Sequence, residues 1–323
     1  MMPDSASLPF NMYVLPTGPS GTGYPWMVVQ RIPMRSRLVP VLGALVLLAG
    51  LMPPAAQSRP ATGELRAVVF DAVLPFIEKR GDSYEGLAVD VLSAVKDEAG
   101  ATSLHFIPVA SIDQGFDAIT TGKADIACGV AFTWPRTRQA LFTLPFAIGG
   151  TRLLAPAGVD GTPDSLSGRT VGVVDNSAAA QVIASVVPAA KLRGFKTPAE
   201  ALAALNDNTV DILAGSSLWL AANRGSGNKK LVPDYPYART GIGCIVAQNN
   251  PGLLTAGNLA IAQMMQAYVD GDSGSREMVN RWVGPGSAIK LSEEQISDFY
   301  ALILTSTAEI STTVKPPDQQ GAE

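Results

Sequence analysis

The run Thr133-Trp134-Pro135-Arg136 carries the most pointed chemistry in the chain. Thr133 is a residue type that caps helices and Pro135 is tolerated in a first helical turn, so the run predicts a helix that places Arg136 at its amino end. Unpaired amide N–H groups and the helix dipole favour an anion there. A guanidinium at the same spot can hold a carboxylate through two parallel hydrogen bonds. Groups that transform a substrate are scarce by contrast. The one histidine, His105, lies in the apolar run Ser103-Leu104-His105-Phe106-Ile107, which reads as a strand and favours a structural over a catalytic role. One His and two Cys form neither a zinc cluster nor a Cys-His or Ser-His-Asp arrangement. The expectation is a binding protein with no metal, no cofactor and no enzymatic reaction.

The formal charge of -4 and the lack of any Lys/Arg run argue against a nucleic-acid partner. At 323 residues the chain is long enough for two domains with a real core, and its 47% apolar content is that of an ordinary globular protein. Arg35 and Arg37 precede an apolar run over 38–52, which ends in Pro53-Pro54-Ala55-Ala56-Gln57-Ser58. That is the order of an export signal: a positive region, an apolar region and a small-residue cleavage region. A membrane span needs about 20 apolar residues, more than this run holds, and no Cys follows it to anchor a lipid. A start at Met34 accounts for the Pro/Gly/Ser-rich segment before it; a long unstructured leader is the alternative. Either way residues 1–58 fall outside the fold, and the mature protein is expected in the periplasm. In that oxidising compartment a disulfide between Cys128 and Cys244 is favoured over two buried free thiols, each lying in an apolar strand-like run.

The elements that must position Arg136 follow from periodicity. Residues 65–70 form an apolar run suited to a buried strand, and 71–75 a turn closed by Phe76. Helical spacing over 86–99 ends at Gly100. A strand over 104–109, a short helix over 116–121 and an apolar strand over 124–130 follow. Strand and helix alternate, which favours a parallel sheet covered by helices. The pattern restarts with a strand over 170–174, a helix over 178–187, a helix over 198–205 capped by Thr197, and a strand over 210–214 ended by Gly215-Ser216-Ser217. An apolar strand over 148–156 reads as a crossover between the two units, and 239–246 as a second. A long amphipathic helix over 253–269 and a short segment over 276–282 follow; the polar end, 316–323, reads as frayed.

Several ordered pieces of this chain resemble the bacterial extracellular solute-binding proteins of family 3. They are Gly86-x-x-x-Asp90, Gly122-Lys123-Ala124-Asp125-Ile126, Thr133-x-x-Arg136 and Phe142-Thr143-Leu144-Pro145-Phe146. Further on come Leu166-Ser167-Gly168-Arg169-Thr170-Val171-Gly172-Val173, Ala201-x-x-x-Leu205 before Val210-Asp211-Ile212, and Arg281-Trp282-Val283-Gly284. The resemblance covers residues 64–284. It implies an α/β fold of the type II periplasmic binding protein, two lobes joined by two crossover strands with a cleft between them. Lobe 1 is expected over 59–148 and 246–310, lobe 2 over 149–245, and a flexible tail over 311–323. It further implies a monomer that takes up an anionic or amino-acid-like ligand by cleft closure and serves an inner-membrane ABC permease.

In this family the arginine matching Arg136 holds the ligand carboxylate. Gly129, Ala131, Thr133 and Trp134 surround it in sequence, and Asn176-Ser177-Ala178 match the turn that faces it. Phe70, Phe76 and Trp134 are candidates to sandwich the ligand, although Phe76 also reads as core. The departures bear on the ligand. Ser216 stands where amino-acid receptors of the family carry an Asp for the ligand ammonium, Ala131 where they carry a hydroxyl, and Leu144 where an acidic residue precedes the proline. Asp71 falls one position from the family's first-lobe aspartate. Burying an ammonium without such partners costs several kcal/mol, so the ligand is expected to be carboxylated without having to be a free α-amino acid.

Other readings belong to other classes. The runs over 128–134 and 149–152 resemble an orphan subgroup of extracellular binding proteins, encoded beside glycine-rich peptides and a radical SAM enzyme rather than a permease. The same fold hosts dehydratases of cyclic carboxylates, but only Asp71 and Asp175 are acidic candidates near the cleft, and neither sits in a catalytic motif. A third reading is a sensor or adaptor docking on a membrane partner through the amphipathic segment 291–305; that segment reads more simply as a helix packed on the first lobe.

Overall fold

Two copies of one strand-helix order lie side by side in the computed structural model, which describes residues 63–70, 73–225 and 228–313. The export signal, Asp71 and the polar tail therefore lie outside the described residues. The first copy runs β1 (Glu64–Val69), a small hairpin of β2 (Glu78–Arg80) and β3 (Ser83–Glu85), α1 (Leu87–Glu98), β4 (Ser103–Pro108), α2 (Ile112–Thr120) and β5 (Ile126–Ala131). A single 3-10 turn over Arg136–Arg138 and the short β6 (Ala140–Phe142) lead to β7 (Ala147–Ala155) and α3 (Pro163–Leu166). The second copy is β8 (Thr170–Val174), α4 (Ala178–Val186), β9 (Lys191–Phe195), α5 (Pro198–Asn206), β10 (Ile212–Ser216) and α6 (Ser217–Ala222). The long β11 (Lys230–Ala247) returns the chain to α7 (Pro251–Val269), α8 (Ser273–Val283) and α9 (Glu293–Thr313).

One sheet carries the order β4-β1-β5-β11-β7-β10-β8-β9, with β6 alongside β11. Within each copy the first strand is parallel to both its neighbours, β1 to β4 and β5, and β8 to β9 and β10. The two middle strands, β11 and β7, run antiparallel to each other and to the inner strand each adjoins. They are the two crossovers expected from the apolar runs near 148–156 and 239–246. Strands covered on both faces bury nearly every residue, as β1 and β8 do, which is why they read as apolar runs rather than alternation.

The core divides in the same way. Val69, Leu87, Leu92 and Val246 pack with Met265, Tyr268 and Tyr300 on one side, and Leu153, Leu166, Val171 and Ile183 on the other. Helix α9 lays Ile296 and Tyr300 into the first of these cores, so the segment past residue 284 is packed rather than free.

The motif residues prove to tie the frame together. Asp90 Oδ2 accepts from Arg281 Nη2 at 2.9 Å and Trp282 Nε1 at 2.6 Å, joining α1 to α8. Asp125 takes both Nε (3.0 Å) and Nη2 (2.7 Å) of Arg66, fixing the start of β5 to β1. Gly86 sits at φ 138, and a Cβ there would lie 2.0 Å from the Phe76 carbonyl oxygen, so the start of α1 requires glycine. Cys128 and Cys244 face each other across β5 and β11 and form a disulfide. His105 lies in a strand, as its apolar run suggested; β4 is the sheet's edge, so the side chain is 58% exposed and 3.6 Å from Glu64.

Candidate functional site

The cleft opens where the inner strands β5 and β10 end, on either side of the crossovers. Open α/β sheets bind ligands beyond the carboxyl ends of their strands, because connections diverge there and leave a crevice. Its volume is about 170 Å³, and its walls are largely apolar: Phe70, Phe76, Ile112, Phe116, Val174, Trp219, Ile242 and Ile245 all line it.

Among the described residues, Arg136 is the charged one whose side chain lines the cleft. It is 8% exposed. Nη1 donates to the Ala131 carbonyl at 2.8 Å and Nη2 to the Asn176 carbonyl at 3.2 Å, and the guanidinium carbon lies 5.4 Å from the centre of the Phe116 ring. Both acceptors are neutral. Burial pulls the guanidinium down to about 10, opposed by the negative field of Asp113, so the group is still charged at neutral pH. Asp113 itself is engaged elsewhere, accepting from Asn176 Nδ2 at 2.6 Å. A buried cation whose hydrogen-bond partners among the described residues are carbonyls, next to an aromatic face, keeps the capacity to pair with an anion.

The sequence's helix start at Arg136 is corrected. The chain makes one 3-10 turn there, Pro135 occupies the cap position with no side-chain capping bond, and Thr133 Oγ1 is buried with no hydrogen-bond partner among the described residues. The macrodipole argument therefore falls away for Arg136, and what recommends it is burial. Trp134 is also corrected: 78% exposed, it stacks edge-on to Phe132 (5.1 Å) and does not line the cleft. Phe70, Gly129 and Ala131 line it, as does Phe76, which packs at 2% exposure against Phe146 and is thus both wall and core.

Opposite Arg136 the second copy supplies a true helix start. Ser177 caps α4, its Oγ accepting from Ala180 N at 3.1 Å, and Ser177, Ala178 and Ala179 line the cleft. The first amides of such a helix have no carbonyl partner within it. Asn176 holds φ 56, a left-handed conformation Asn tolerates, which turns its carbonyl toward Arg136. Ser216 ends β10 and lines the cleft, and its Oγ is buried and without a hydrogen-bond partner among the described residues. Asp175 is corrected as a cleft residue: it does not line the cleft, and its carboxylate crowds the Gly194 backbone on β9, where an added Cβ would fall 1.9 Å from Oδ1.

Phe116, Thr151 and Trp219 were not expected at the site. Phe116 was visible in sequence only as an apolar residue of a short helix. Trp219 had a signal in Gly215, since a glycine ending a strand marks close approach. A Cβ at Gly215 would lie 2.6 Å from the Trp219 ring. Among the described residues no group of three or more His, Cys, Asp or Glu side chains is placed to hold a metal.

Comparison with known proteins gives a consistent picture. The family model for bacterial extracellular solute-binding proteins, family 3, matches residues 65–284. Among solved structures, an ancestral arginine-binding protein bound to glutamine shares 24% identity at a TM-score of 0.61, covering 69% of this chain and 98% of that one. A putative ABC-transporter binding component from Wolinella succinogenes complexed with lysine shares 23% identity at a TM-score of 0.60, covering 68% and 95%. At these identities the likeness establishes the fold, a type II periplasmic binding protein. Among curated proteins, the virulence sensor protein BvgS of Bordetella pertussis is 25% identical over 221 residues, 67% of this chain and 17% of the relative. The chain thus spans about a sixth of the length of that relative.

Proposed function

Since this chain belongs to the bacterial extracellular solute-binding proteins, family 3, we propose that it captures a small carboxylated solute, with Arg136 receiving the carboxylate. The observation that carries the reading is the guanidinium itself, buried at 8% exposure in an apolar cleft with two carbonyls as its partners. Such a group is costly to bury unpaired and is compensated when an anion arrives. Ser177, the first amides of α4 and Ser216 contact the solute from the opposite wall. Gly129, Ala131, Phe70 and Phe76 shape the Arg136 side.

Lobe 1 comprises residues 59–148 and 246–310 and lobe 2 residues 149–245, and they pivot on β7 and β11. The bond that Arg136 Nη2 donates to the Asn176 carbonyl and the one that Asn176 Nδ2 donates to Asp113, with that from Asn223 Nδ2 to the Leu74 carbonyl (3.5 Å), support a closed arrangement that a ligand touching both walls would favour. The protein acts outside the inner membrane as a monomer and carries out no covalent chemistry. Occupancy is passed to an ABC permease. A second reading, a sensing module that passes closure to a membrane partner, is favoured by the likeness to BvgS.

The test is a thermal-shift screen against amino acids, small carboxylates and short glycine-rich peptides, with Arg136→Ala in parallel. A ligand at a thousand times its Kd adds about 4 kcal/mol, on the order of ten degrees for this size. A shift that vanishes in the variant is expected; flat curves throughout would remove the solute-receptor reading.

A further inference from the structure

Resting on the carboxylate role of Arg136, we infer that the solute is an apolar monocarboxylate without an ammonium beside its carboxylate. The ligand body is an aryl or branched alkyl group. A cavity of about 150 Å³ lined by apolar side chains holds benzene, and this cleft measures about 170 Å³. A body of about six carbons therefore fits within it.

The walls set its character. Phe70 and Phe116 on one side, Trp219 on the other and Ile242 and Ile245 at the floor offer ring faces and methyl groups. An α-ammonium would sit two bonds from the carboxylate carbon, and so close to the Arg136 guanidinium and to the cleft wall beside it. Among the described residues, the polar side chains that line the cleft with Arg136 are Thr151, Ser177, Ser216 and Thr240. Hydroxyls accept hydrogen bonds but bring no negative charge, and in an apolar cleft an ammonium needs one.

The described acidic groups nearby are turned away. Asp113 is bound to Asn176 and does not line the cleft, and Asp175 lies against the backbone of β9. Ser216 Oγ, buried and without a hydrogen-bond partner among the described residues, matches a neutral oxygen at the α carbon, such as a hydroxyl or keto group. Leaving it unmet by an apolar α carbon costs less than meeting it with an unpaired charge.

The experiment is calorimetric titration of the full chain with matched pairs that differ at the α carbon. One series is phenylalanine, 3-phenylpropanoate and 3-phenyllactate; the other is leucine, 4-methylpentanoate and its 2-hydroxy derivative. The amine-free members are expected to bind at least tenfold tighter than the amino acids, about 1.4 kcal/mol, with the hydroxy acid tightest in each series. Binding is expected to be lost in Arg136→Ala, and Ser216→Asp should turn the preference toward the amino acids. Amino acids that bind as tightly as their amine-free partners, still dependent on Arg136, overturn this inference and leave the carboxylate receptor standing. Binding that survives Arg136→Ala removes the carboxylate role of Arg136 and this inference with it; no binding in either series overturns this inference alone and leaves the receptor reading to the wider screen.

Discussion

After the inner strand of the first unit, β5, the chain turns through Trp134 and Pro135 and folds Arg136 back beneath the Ala131 carbonyl. After the inner strand of the second, β10, it runs through Ser216 directly into α6 and swings Trp219 over Gly215. Strand order and pairing are the same in both units, and so is the place of these residues at the mouth of the cleft. One wall therefore offers a buried cation and the other a hydroxyl, a helix start and a ring. The contrast teaches that topology fixes where a ligand can sit, while the residues just past each inner strand decide what charge it carries. The units also differ in reinforcement, since Cys128 and Cys244 bind β5 to its crossover and β10 has only its hydrogen-bonded ladder to β7.

If the first wall supplies the charge, Arg136→Ala is the change that breaks the contrast most. Titration with a bound carboxylate should show a loss of about thirtyfold or more, since removing one partner of a buried charge pair costs about 2–5 kcal/mol. Unliganded stability should hold or rise in Arg136→Met, because a buried cation replaced by an apolar side chain of similar size is often neutral or favourable. Melting the two variants beside the parent separates the effects.

The disulfide comes next. It closes a separation of 116 residues, and replacing both cysteines by Ala should cost about 2–4 kcal/mol, or roughly 4–16 °C of melting temperature for a chain of this size. Unchanged melting would mean that β5 needs no staple and that the units are reinforced alike.

Gly215→Ala tests the second wall. The added methyl meets the Trp219 ring at 2.6 Å, so a loss of about 1–3 kcal/mol in stability is expected from overpacking, with weaker ligand binding as the ring shifts. Tryptophan fluorescence would report the displacement. The smallest effect should come from Ser177→Ala, which removes the cap of α4 and costs about 1 kcal/mol, read by denaturant unfolding. An equal loss of ligand affinity would show that the helix start contacts the solute as well as capping α4.

Much of the frame was legible because it rests on short-range signals. The alternation of apolar strands with helical spacing and the cap at Thr197 act within a few residues. Arg136 was legible as a residue type but mislaid in its setting. A capping residue and a proline predict a helix, yet β6 follows within four residues of Arg136 and the segment closes after a single 3-10 turn. Trp134 read as a ligand-stacking ring because it is aromatic and adjacent, whereas that turn points it into solvent.

Sequence by itself determined the α/β class, the two repeated units, the crossover strands and the candidate cation, since periodicity and residue type carry each of these locally. Only the tertiary structure decided that Arg136 is buried beside Phe116, that Asp113 is turned aside by Asn176, and that Trp219 forms the opposite wall. These contacts join segments 20 to more than 80 residues apart, and their energies depend on distances of a few ångströms that a linear pattern does not encode.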